Sequence, residues 1–149
     1  MEQIVIASDH TGLRLKEKIK LYFKEKNIDV VDLGTHSEKA TDYPDFAEKV
    51  ALYIKNNEDT RGILICGTGI GMSIAANRYN HIYASLCYDE TTAEMARKHN
   101  NSNVLVLGAR TTEYEKAISI IDIWLKTQFE EGRHRRRLEK IKQFDSLTR

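Results

Sequence analysis

The sequence predicts a single doubly wound (Rossmann-like) α/β domain of about five parallel strands, with helices on both faces and a C-terminal helix for dimerisation. Short runs rich in β-branched residues alternate with longer segments of helical period, the pattern of successive βαβ units. One such run, Gly62-Ile63-Leu64-Ile65-Cys66, passes directly into Gly67-Thr68-Gly69-Ile70-Gly71 and a helix-like segment, so strand, tight turn and helix follow without a linker. At 149 residues, 41% hydrophobic and 30% charged, the chain has the size and composition to bury one core.

Ile4-Val5-Ile6-Ala7 gives the first strand, followed by Ser8-Asp9-His10-Thr11-Gly12. Leu13, Leu15, Ile19, Leu21, Tyr22 and Phe23 then interleave with lysines in a mainly helical pattern. Ile28, Val30, Val31 and Leu33 make a second strand closed by Gly34, and the polar stretch from Thr35 to Asp45 holds the only proline, Pro44. Phe46, Val50, Ala51 and Ile54 fit a helix after it. Ile63 to Cys66 is the third strand, Met72 to Tyr79 a helix, Ile82 to Cys87 the fourth strand and Thr91 to His99 a further helix. Val104-Leu105-Val106-Leu107 is the fifth strand, ended by Gly108. Tyr114, Ile118, Ile121, Trp124 and Leu125 are spaced for an amphipathic helix. A last helix is expected from Arg133 to Leu147, with Leu138, Ile141, Phe144 and Leu147 on one face.

Bulk charge narrows the partners. Lys+Arg 23 against Asp+Glu 22 gives a net charge of +1, which points to neither a nucleic-acid nor a membrane partner. No stretch is apolar for long enough to span a bilayer, and Met1 to Ala7 lacks the pattern of a signal peptide. Two cysteines without a secretory signal suggest free thiols in a reducing cytoplasm. The charge is nevertheless uneven, with Arg133, Arg135, Arg136 and Arg137 close together.

In an open parallel sheet, ligands bind beyond the carboxyl ends of the strands, near a switch in strand order. Those ends carry Asp9-His10, Cys66 with its glycine turn, Asp89-Glu90 and Arg110, while His99 and Asn100 fall just ahead of the fifth strand. Gly67-x-Gly69-x-Gly71 is not the dinucleotide fingerprint, because position 72 is Met, although Asp89 stands near where a ribose-binding acid would. It is not a P-loop either, for no Gly-Lys-Ser/Thr follows. The turn does aim backbone amides and a helix N-terminus at one spot, which stabilises an anion and favours a thiolate at Cys66.

Each of these residues also has a plainer role open to it. Cys66 alone would be a small buried hydrophobe; the glycine turn beside it favours a base. Thr68 fits both a helix N-cap and a hydroxyl that relays protons. Asp9-His10 could form an Asx-type turn, and His99-Asn100-Asn101 a helix end with a left-handed Asn cap. Arg133 and Arg137 are four apart, share a helix face and could fork one phosphate, while Arg135 and Arg136 point elsewhere.

Asp9-His10-x-Gly12, Gly34-Thr35, Thr41-Asp42-Tyr43-Pro44, Ile65-Cys66-Gly67-Thr68-Gly69-Ile70-Gly71, Ala75-Ala76-Asn77, Arg97-x-His99-Asn100, Asn103-Val104-Leu105, Gly108-x-Arg110 and Gly132-Arg133-His134 occur in that order. Together they resemble ribose-5-phosphate isomerase type B, a family whose relatives also act on allose 6-phosphate and galactose 6-phosphate. The resemblance implies interconversion of ribose 5-phosphate and ribulose 5-phosphate in the pentose phosphate pathway, with no metal and no cofactor. It implies that Cys66 is the base moving a proton between C1 and C2, and that His99 is an acid in ring opening, aided by Asp9 and His10. The amides of Gly67, Thr68, Gly69, Ile70 and Gly71 would hold the enediolate oxygen, with Thr68 assisting proton movement. Asn100, Arg110, Arg133 and Arg137 would hold the substrate, the arginines on its phosphate. It further implies a homodimer, or a dimer of dimers, with sites built from both subunits. Some relatives carry serine in place of the cysteine and use a glutamate base; Cys66 resembles the cysteine branch.

A rival reading of the same turn is a non-catalytic nucleotide- or sugar-phosphate-binding module, which calorimetry with NAD, ATP and ribose 5-phosphate would distinguish. Preference between five- and six-carbon sugars depends on side-chain packing and is not legible at this level.

Overall fold

The structure, a computed structural model, describes residues 2–147. Five strands, β1 (Gln3–Ser8), β2 (Val30–Asp32), β3 (Thr60–Cys66), β4 (Ala84–Leu86) and β5 (Val104–Gly108), form one sheet in the order β2-β1-β3-β5-β4. Every pairing is parallel. Six helices accompany them: α1 (Leu13–Glu25), α2 (Tyr43–Asn56), α3 (Ile70–Ala76), α4 (Glu90–Asn100), α5 (Tyr114–Lys126) and α6 (Arg133–Lys142).

The central strands are apolar throughout because both faces are covered. Ile4, Ile6, Ile63, Ile65, Leu105 and Leu107 pack with Leu15, Ile19 and Phe23 of α1, Ala93 and Ala96 of α4, and Ile120, Ile121 and Trp124 of α5. The alternate residues Val5, Ala7, Leu64, Cys66, Val104 and Val106 pack with Phe46, Val50 and Ile54 of α2 and with Met72 and Ala76 of α3. Period-two alternation thus assigns each side chain to one of two cores.

Several boundaries differ from the sequence expectation for local reasons. Helix α2 starts at Tyr43, ahead of the expected Phe46, and takes Pro44 into its first turn, where a missing N–H leaves no helical bond unmade. Helix α3 spans Ile70–Ala76 instead of Met72 to Tyr79. Strands β2 and β4 are shorter than their apolar runs; each lies at a sheet edge and pairs on one side only. The last helix divides into α6 and a 3-10 turn, Gln143–Ser146. Of its expected apolar face Leu138 is buried, whereas Ile141, Phe144 and Leu147 are 45%, 57% and 77% exposed. Among the described residues no helix is long and apolar enough to cross a membrane.

The topology fixes where a ligand can sit. From β1 the chain steps to β2 on one side, while β3 lies on the other, so the carboxyl ends of β1 and β3 flank the switch in direction. A buried ion pair supports this edge. Lys16, with no exposure, donates to both oxygens of Asp32 at 2.6 Å, and Lys20 adds a third bond at 2.7 Å. Asp32 also accepts the Gly34 amide at 2.8 Å, and Gly34 and Thr35 exchange backbone bonds with Ser8, the last residue of β1.

Candidate active site

Cys66 ends β3, is 5% exposed, and its Sγ accepts the Gly69 N–H at 3.2 Å. Gly69 is left-handed at φ +81, and a Cβ there would lie 2.5 Å from Leu86 Cδ1, so both backbone and space require glycine. Thr68 is exposed and its Oγ1 accepts the Ile70 N–H at 3.3 Å. Helix-start acceptor and proton relay are therefore compatible, since an accepting hydroxyl keeps its own hydrogen to donate. The amides of Gly71 and Met72, in the first turn of α3, have no helical acceptor. A Cβ at Gly71 would lie 2.5 Å from Tyr43 Cζ, so this glycine admits the Tyr43 phenol against the turn.

Asp9 and His10 stand beside this turn. Asp9 Oδ1 accepts from Thr11 N (3.0 Å), Thr11 Oγ1 (2.6 Å) and Gly12 N (3.2 Å), the Asx-type turn that the sequence allowed. The His10 ring is not left to solvent: Nδ1 accepts the Thr41 N–H at 3.1 Å, and the His10 amide donates to Thr41 Oγ1 at 3.0 Å. An Nδ1 that accepts carries no proton, so the partner assigns the Nε2–H tautomer. Arg110 joins the same edge: its amide donates to Gly67 O at 2.8 Å, and a side chain at Gly67 would come within 3.4 Å of its Nη1.

His99 and Asn100 lie elsewhere. They end α4, with Asn101 in the left-handed cap at φ 48. The His99 ring stacks on His134 of α6, centroids 4.1 Å apart and planes within 11°. His134 is 5% exposed, and its Nε2 comes 3.6 Å from Glu130 Oε1. Burial, with help from His99 and Arg133, pushes the His134 imidazole below its ordinary range. Asn100 lines a cavity of about 430 Å³ together with Tyr83, Leu138 and Ile141. Arg133 and Arg137 are exposed one turn apart on α6, with no ion pair among the described residues. Arg135 is accounted for by Glu131 and by the Phe129 ring, 5.5 Å from its guanidinium carbon; nothing in the structure explains Arg136.

One chain therefore presents the residues expected at the site in two groups. Cys66 pairs with Gly108 and Gly62 with Val104, so the two ends of β5 are separated by about 13 Å at 3.3 Å per residue. Asp9, His10, Cys66, Thr68 and Arg110 belong to the carboxyl end. His99, Asn100, Arg133 and Arg137 gather around the end of α4, which leads into the amino end of β5.

Other residues acquire plain structural roles. Asp89 caps α4 in a reciprocal box with Thr92, which occupies the acid that a dinucleotide site would need. Burial pushes the Cys87 thiol up to about 12, leaving it a core residue. Arg97, lowered to about 10 by burial, donates to Ser102 O and Thr127 O and fixes the turn after His99. Tyr43, Thr41 and His134 were not singled out by sequence reasoning. The first two lie within Thr41-Asp42-Tyr43-Pro44 and the third follows Arg133, but no spacing rule links them to Gly71, His10 or His99.

Residues 4–141 match the family model described as Ribose/Galactose Isomerase. The chain is 45% identical over 141 residues to ribose-5-phosphate isomerase B of Escherichia coli, covering 95% of each protein. It is similar in structure to ribose-5-phosphate isomerase B of Clostridium thermocellum, with TM-score 0.95, 44% identity and 99% of each chain covered. It is also similar to the enzyme of that name from Mycoplasma genitalium, solved with bound ribulose-5-phosphate, with TM-score 0.92, 49% identity and 97% and 96% of the two chains covered.

Proposed function

Because the chain belongs to the ribose/galactose isomerase family, we infer that it is an aldose–ketose isomerase interconverting ribose 5-phosphate and ribulose 5-phosphate. Cys66 carries the reading: a thiol at the end of a central strand, touching a backbone amide and flanked by an imidazole of fixed tautomer.

Starting from the aldose, the Cys66 thiolate takes the proton from C2, and electrons move into the C1 carbonyl to give an enediolate. The same sulfur returns the proton to C1. Thr68 relays the proton between the neighbouring oxygens, while the amides of the Gly67–Gly71 turn stabilise the oxyanion. One oxyanion donor is worth roughly 3–4 kcal/mol, and a positioned acid or base about 10²–10⁴-fold. His10 donates from Nε2 to a sugar oxygen beside Asp9. Arg133 and Arg137, with Arg110, take the phosphate, and that remote binding orients the reacting carbons.

Ring opening by His99 needs a second copy, since His99 and Cys66 lie toward opposite ends of one sheet. A homodimer, alone or as half of a dimer of dimers, would bring His99, Asn100, Arg133 and Arg137 of one subunit to Cys66 of the other. Exposed apolar side chains support this pairing: Ile70 and Ile74 near the thiol, 56% and 59% exposed, and Ile141 and Phe144 beyond the arginines. In a two-fold contact one surface completes both sites. The assembly works in the cytoplasm without metal or cofactor.

The test is conversion of ribose 5-phosphate by the purified protein beside Cys66→Ala. The expected result is turnover by the native protein and a loss of at least about 10²–10⁴-fold in the variant, with circular dichroism unchanged. A fully active variant would refute the assignment of the base, and inactivity of both proteins would move the substrate to six-carbon phosphates.

A further inference from the structure

We propose that His99, Glu130 and His134 form a binding site for a divalent transition-metal ion of the zinc class, which inhibits the enzyme when filled. The donor atoms of these three side chains already lie within 4.8 Å of one another. Two imidazoles and a carboxylate form a ligand set suited to Zn²⁺, Co²⁺ or Ni²⁺ and poor for Mg²⁺ or Ca²⁺, which take oxygen ligands.

An independent observation points the same way. His134 is 5% exposed, yet its Nε2 has no hydrogen-bond partner, the nearest approach being Glu130 Oε1 at 3.6 Å. Leaving a buried polar nitrogen unpaired is unfavourable, and a metal ion would satisfy it. The other two ligands can close onto this fixed one. Glu130 is exposed and His99 half-buried, and the Glu130 amide donates to Lys98 O at 3.0 Å, which holds the carboxylate's segment against the end of α4.

Metal–ligand bonds of about 2.0–2.2 Å require the three donors to draw closer, and parallel rings do not aim both lone pairs at one point. Binding therefore opens the His99–His134 stack. Arg133 and Arg137 oppose the cation, which makes the Glu130 charge decisive for affinity. Inhibition, though not binding, rests on the isomerase reading: an ion on His99 ties up the ring that would move the ring-opening proton and draws it out of its stack.

Co²⁺ is the probe, added to the full-length protein and to Glu130→Gln, a substitution outside the catalytic machinery. The native chain should take up one Co²⁺ with visible ligand-field bands and no thiolate-to-cobalt charge-transfer band, and Zn²⁺ should displace it. Glu130→Gln should weaken binding by at least the roughly 10–100-fold that even an outer partner of a metal ligand contributes. Its metal-free isomerase rate should be unchanged, with Zn²⁺ inhibition weakened by the same factor. A charge-transfer band would place the ion on Cys66 and overturn the proposal, as would non-saturable binding or equal affinity in the variant. If the protein proves to lack isomerase activity, the cobalt spectra still decide the site.

Discussion

Asp32 shows how a side chain away from the chemistry holds the strand end that the chemistry uses. Burial alone would raise its carboxyl, but hydrogen bonds from Lys16, Lys20 and the Gly34 amide outweigh that and hold it below the ordinary range. A value lower in the folded than in the unfolded chain contributes stability above the ordinary carboxylate pKa of about 3.9, and that stability is lost as pH falls through the lowered value. Asp32→Asn leaves buried Lys16 with only Glu17, 3.5 Å away, as a counter-ion, and should cost up to about 3–5 kcal/mol at pH 7. Denaturant unfolding at a series of pH values should show the difference shrinking below about pH 4; a constant gap would mean that the charge is not what matters. Single residues were legible where the chemistry is local. Cys66, Thr68 and Asp9 owe their settings to neighbours within three positions. His10 owes its tautomer to Thr41, 31 positions away, and only the folded chain brings those two together.

At the level of elements, the five strands and six α-helices were each anticipated, whereas the short 3-10 turn His10–Gly12 was not; burial on both faces leaves the long apolar runs that mark β1, β3 and β5. Boundaries were less legible at sheet edges, where an apolar run outlasts its pairing partners, as in β2 and β4. Gly108 shows what a boundary can control. A Cβ there would lie 2.4 Å from Thr111 Oγ1 and 2.6 Å from the Thr68 carbonyl oxygen, so the end of β5 presses directly on the turn that follows Cys66. Gly108→Ala should therefore cost about 1–3 kcal/mol by overpacking, lowering the melting temperature by roughly 2–4 °C per kcal/mol. It should also lower kcat, because the turn must shift. A stable variant with native kcat would show that the turn tolerates displacement.

Across the whole molecule, the sequence left His99 unplaced, and the reason is geometric: its helix runs away from the thiol. If each site draws Cys66 from one subunit and His99 from the other, Cys66→Ala and His99→Ala chains should both be inactive alone. Unfolded together and refolded, a random mixture should recover about a quarter of native activity, since half the dimers are mixed and each has one intact site. No recovery from dimers shown to be mixed would place each site within a single chain.

The distance between the two ends of the sheet then has a cellular consequence. If the site is shared between copies as proposed, a newly made chain would hold its thiol and its acid too far apart to act on a sugar, and would be silent until it met a copy. Activity per chain should rise steeply as synthesis carries the cell past an assembly threshold. A misfolded copy would also disable the site that it shares with a sound one, which makes pairing a form of proofreading.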